Sequence, residues 1–121
     1  MKYEELYKDF AKLFPDDEVV LNDLEISADV DEEDGMHILF GMVVFPFISK
    51  LVEDGENEKM KRVFDFLEQM ASSKDSRICE VLEFTILENI ITSGKDFLNI
   101  CKPYMGSETG KSCEYIERYL M

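Results

Sequence analysis

The sequence is poor in the residues that most often carry chemistry or crosslinks. It has one histidine, His37, and three cysteines, Cys79, Cys101 and Cys113, none in a CxxC pair. A structural zinc site draws on about four close-spaced ligands, so zinc is not expected. An odd cysteine count argues against a secreted disulfide framework, and buried free thiols in a reducing cytosol are the expectation. Only three prolines and six glycines punctuate 121 residues, which disfavours a turn-rich sandwich and favours helices. Alternation at period two is never sustained, so no strand is predicted. No fixed-period repeat is visible. The longest apolar run, Ile38 to Ile48, falls well short of the ~20 residues that span a bilayer, and it contains Gly41 and Pro46. Met1 to Leu6 has no apolar h-region, so no signal peptide is expected and the location is expected to be cytoplasmic.

Basic residues are the most telling shortage. Thirteen Lys and Arg face twenty-seven Asp and Glu, for a formal charge of −14. The stretch from Asp16 to Asp34 is rich in Asp and Glu and holds no Lys or Arg at all. Such a surface repels nucleic acid and anionic lipid, so neither is an expected partner. It attracts basic proteins and speeds encounter with them. Hydrophobic residues make up 45% of the chain, enough to exclude wholesale disorder, and the length suits one domain over residues 1–121.

What is present reads as helix. Tyr3, Leu6, Tyr7, Phe10, Leu13 and Phe14 recur at helical spacing until Pro15 ends the run. In the acidic segment, Val19, Val20, Leu21, Leu24 and Ile26 are expected to pin a short helix to the core, and Ser27 to Asp34 reads as an exposed loop. A helix from Gly35 to Val52 is apolar nearly all round and bent by Pro46. The next, from Glu58 to Ala71, is capped by Asn57 and leaves Phe66 off its apolar stripe. A dense apolar helix from Ser76 to Thr92, Phe84 included, is capped by Asp75 and stopped at Gly94. A short helix from Asp96 to Cys101, a loop from Gly106 to Gly110 and a last helix from Lys111 to Leu120, with Tyr119 and Leu120 inward, complete the reading. The fold class is all-α: five to six helices stacked as HEAT-like antiparallel hairpins in one compact bundle.

Three tempting motifs fail on spacing. Gly106-Ser-Glu-Thr-Gly-Lys-Ser112 has three residues between its glycines where a phosphate loop needs four, and no strand precedes it. Asp29 to Gly35 resembles a calcium loop, but the sixth and twelfth positions from Asp29 are Asp34 and Phe40, where glycine and glutamate are required. His37 has no second histidine and no nucleophile placed beside it. Glu80 and Glu83 share a helix face without the Glu-x-x-His partners of carboxylate metal sites. No cofactor and no catalytic centre are expected.

From Met36 to Leu120 the chain resembles a family of small bacterial helical proteins. The resemblance rests on "MKRVFDFLEQM", on "LEFTILENI" after a short polar turn, and on the terminal "YMGSETGKSCEYIE". Members look like HEAT-type bundles, and several are immunity proteins of contact-dependent inhibition and related polymorphic toxin systems. The resemblance implies a protein that neutralises a cognate toxin, with a nuclease, and an RNase ahead of a DNase, as the target.

Resemblance and charge together lead to an expected function: binding a basic toxin domain through Asp16, Asp17, Glu18, Asp29, Asp31, Glu32, Glu33 and Asp34, with Glu80 and Glu83 as further contacts. Phe66 or Tyr104 would serve as aromatic anchors. The competing expectation is a helical scaffold, adaptor or small regulatory subunit for a basic protein. Oligomeric state is left open.

Overall fold

The computed structural model describes residues 1–120, and among these it is all-helical. Seven helices follow one another: α1 Leu6–Lys12, α2 Glu18–Ala28, α3 Met36–Glu53, α4 Asn57–Ala71, α5 at 76–92, α6 Lys95–Cys101 and α7 Ser107–Tyr119. The expected five or six become seven because the short α2 and α6 are both complete helices. Single turns of 3-10 helix at Tyr3–Glu5, Pro15–Asp17, Glu32–Asp34 and Lys102–Tyr104 make most of the joints.

α3 is the spine. It packs against α2 on one side and against α4 and α5 on others, while α7 closes over α4 and α5. Its eighteen residues have a mean hydropathy of 1.6, the length and character of a membrane span. Eight of the eighteen, Met36, Leu39, Phe40, Val43, Val44, Phe47, Ile48 and Leu51, are in the core, while Ile38 and Met42 are exposed. Phe10 sits at the centre of an aromatic cluster, 5.2 Å from Phe14, 6.1 Å from Phe40, 6.2 Å from Phe47 and 5.5 Å from Phe66. Phe66 is therefore a core residue, 4% exposed, and not an edge anchor. The stripe of α4 is wide enough to include it because α1 covers that flank.

Both long helices widen to a π-turn, Phe40–Val44 in α3 and Leu82–Leu87 in α5. In α3 the π-turn lies just before Pro46, whose ring has no N–H to give and crowds the preceding turn. The two π-turns face each other, and a Cβ on Gly41 would stand 3.3 Å from Thr85 Cγ2.

Several local expectations change. Glu56, not Asn57, holds the N-cap position of α4, and the Asn57 side chain instead accepts from the Tyr104 hydroxyl at 2.8 Å. Asp75 does cap α5, accepting from the Arg77 N–H at 3.0 Å. The expected loop from Gly106 to Gly110 is the first turn of α7. Its end N–H groups find no local cap; Glu68 of α4 accepts from the N–H groups of Glu108 and Thr109 and from the Thr109 hydroxyl, at 2.8–2.9 Å. Tyr119 and Leu120 point outward, and Phe84 is partly exposed with its ring 5.5 Å from that of Tyr119. Cys101 and Cys113 are buried free thiols, pushed up by burial to about 12 and about 11, and Cys79 is half-buried.

Candidate protein-binding surface

The acidic segment folds as a helix and a capped corner. Pro15 starts a 3-10 turn that feeds α2, a position where its missing N–H costs nothing. α2 ends at Asp29, which takes a left-handed conformation, φ 55°, alone among the described non-glycine residues. Asp29 N–H donates to Ile26 O at 3.1 Å and Val30 N–H to Glu25 O at 3.2 Å, the paired bonds of a Schellman ending. Asp31 and Asp34 then form a reciprocal capping box: Glu33 N–H donates to Asp31 Oδ1 at 2.8 Å, and Asp31 N–H to Asp34 Oδ2 at 2.9 Å. The expected exposed loop from Ser27 to Asp34 is thus the last residues of α2 followed by a hydrogen-bonded turn.

Helical rotation then sorts the side chains of α2. At ~100° per residue, Val20, Leu21 and Leu24 turn toward α1 and α3. Glu18, Asn22, Glu25 and Asp29 form a row on one flank. Val19 and Ile26 fall between that row and Asp23, and they face solvent, 71% and 76% exposed. Five apolar residues were expected to pin this helix. Leu21 is buried, Val20 and Leu24 are half-buried, and Val19 and Ile26 are left outside.

A groove runs beside the carboxylate row. One depression, about 390 Å³, lies between α1 and α2, floored by Ala11, Pro15 and Leu21. A second, about 450 Å³, continues past Ile26 to Asp29, Val30 and Asp31. They share Asn22 and Glu25. The Tyr7 hydroxyl donates to Glu25 Oε2 at 2.8 Å across the junction, and burial first, then this bond, raises the Tyr7 pKa. The phenol therefore stays protonated and holds the carboxylate in place.

The expected binding residues divide by position. Glu18, Asp29 and Asp31 line the groove, and Asp16 and Glu33 are exposed near its two ends. Asp17 is turned away: it makes a 2.8 Å ion pair and a 3.1 Å hydrogen bond with Lys59, tying the start of α2 to α4. Glu32 pairs with Lys8 at 3.6 Å, and Asp34 is occupied in the capping box. Glu80 and Glu83 lie on α5, across α3 from the groove. Burial first, and Glu80 second, raise the Glu83 pKa. Tyr104 is stacked on Phe64 and bonded to Asn57, inside the α4–α6 joint. Glu25 was missed by sequence reasoning; its signal is its place seven residues after Glu18 and four before Asp29. The described ion pairs leave Glu18, Asp23, Glu25 and Asp29 without a cation. Among the described residues no group of three His, Cys, Asp or Glu is placed to hold a metal ion.

Fold and surface define an all-helical domain with an acidic, groove-bearing face. The chain belongs to the family described as Domain of unknown function (DUF7674), which matches residues 5–121. No curated protein and no solved structure matched the chain.

Proposed function

We propose that this protein is an immunity protein, which binds a basic toxin domain, a nuclease, and blocks its active site or substrate groove. The observation that carries the reading is the carboxylate row Glu18, Glu25 and Asp29 beside a groove, in a segment with no Lys or Arg between Lys12 and Lys50. A nuclease must be basic where it grips phosphate. An acidic helix laid on that surface takes the place of the phosphates, and long-range attraction speeds the encounter. The resemblance to helical immunity proteins supports the same reading, and a HEAT-like stacking of the hairpins α3–α4 and α4–α5 belongs to it.

The test is co-expression with the toxin-like product of the adjacent upstream gene, scored by growth and by co-purification. Rescue with a stable complex is expected. A complex without rescue would favour an adaptor that binds a basic protein without inhibiting it. Neither rescue nor complex would remove the immunity reading. In the complex, Glu18→Gln, Asp29→Asn and Glu33→Gln together should slow association and flatten its salt dependence without lowering the melting temperature at physiological salt. Asn tolerates the left-handed position at 29, so the fold is spared. Asp31 and Asp34 are unsuited to this test because they hold the corner together.

A further inference from the structure

α2 presents to solvent a pattern that helices use to pair with other helices. Val19 and Ile26 are seven residues apart, as are Glu18 and Glu25. Seven residues are two turns, so each pair lies along the helix at a spacing of about 10 Å. Isolated exposed apolar residues need no explanation. Two of them on one line, more than two-thirds exposed and flanked by carboxylates that have no cation among the described residues, place one apolar residue per heptad on the outer face, with the polar Asn22 and Asp23 between them. The inner face of α2 is already used against α1 and α3.

We propose that the outer face of α2 is a docking seam for a basic amphipathic helix supplied by the partner. Its apolar residues, spaced by a heptad, would cover Val19 and Ile26, and its Lys or Arg side chains would lie against Glu18, Glu25 and Asp29 on one side and Asp23 on the other. Charge decides the occupant. A second copy of this chain would set one carboxylate row against another, which is unfavourable. A basic helix meets no cation on α2 itself; the nearest in sequence, Lys12, lines the groove from the α1 side. This inference refines the binding surface of the proposed function by naming the element of the partner that it receives.

The probe is a synthetic peptide of about three heptads, with Leu at the seam positions and Lys or Arg at the flanks. Binding to the full-length protein is followed by fluorescence anisotropy, and peptide helicity by circular dichroism. The expected result is binding with a gain of helicity, weakened by salt and abolished when the peptide's basic flanks become Glu. Val19→Ser with Ile26→Ser should weaken it by about tenfold or more, with the melting temperature unchanged because both residues are exposed. Equal binding by that variant, equal binding of a peptide with the same composition in scrambled order, or self-association of the protein through α2 would overturn the seam. The two proposals fail separately. Peptide binding without growth rescue leaves the seam standing and sinks immunity; rescue that survives the Ser variant sinks the seam and leaves immunity standing.

Discussion

Glu68 occupies an ordinary polar position on α4, and α7 gives it its role. Burial would raise its pKa, but the hydrogen bonds from Glu108 and Thr109 outweigh burial and hold the carboxyl below its usual value. Its contribution to stability is therefore present above the ordinary carboxylate range and lost as pH falls through the lowered folded value. Glu68→Gln, which keeps the size but offers one acceptor oxygen in place of two, should cost ~1.5–3 kcal/mol near neutral pH. Thermal melts of both proteins across acidic pH should show that deficit shrinking as the wild-type carboxylate protonates; a constant deficit would refute the account. At Asp29 the backbone is left-handed, a conformation that costs a side-chain-bearing residue up to ~1–2 kcal/mol and glycine almost nothing. Asp29→Gly should thus raise the urea midpoint modestly. The same substitution removes a carboxylate from the row, so stability and partner affinity should move in opposite directions.

Among the elements, α3 and α5 cross closely. Gly41 lets the two π-turns meet, and Thr85 fills the space a side chain at 41 would need. Thr85 Oγ1 also lies 2.6 Å from His37 Nδ1, and the Thr85 carbonyl accepts from Asn89 Nδ2 at 2.7 Å. Gly41→Val would push α3 off α5 and should cost ~1–3 kcal/mol, the usual penalty of overpacking. A chemical-denaturation curve with an unshifted midpoint would contradict this close approach. His37 thus finds its role in a helix-to-helix contact, and its position at the start of an apolar helix was visible in the sequence while Thr85, 48 residues away, was not. The existence of α3, α4 and α5 was likewise legible, because their apolar periodicity is strong. α2 was legible as a segment, but its facing was not: five apolar residues in eight positions of 19–26 cannot all turn inward on one helix.

For the molecule as a whole, the charge of −14 is spread over a surface whose ion pairs are mostly exposed and worth little each. Self-repulsion should dominate at low ionic strength, where the screening length is about 30 Å, and fade by physiological salt, where it is about 8 Å. Melting temperature should therefore rise as sodium chloride is added from a few millimolar. A fall over that range would mean that the ion pairs outweigh the repulsion.

The all-helical class, the boundaries of the long helices, the cap at Asp75 and the concentration of acid before residue 35 follow from the amino-acid sequence alone, because they depend on spacing, local hydrogen bonding and composition. Tertiary structure decided which apolar residues are spare and which acidic residues are free. Phe66 goes inside because α1 covers the flank of α4. Val19 and Ile26 stay outside because α1 and α3 approach α2 from the other side. Asp17 is spent on Lys59 and Glu68 on α7, while Glu18, Asp23 and Asp29 are left without a cation among the described residues. These outcomes turn on contacts between residues distant in the chain, which no local pattern encodes.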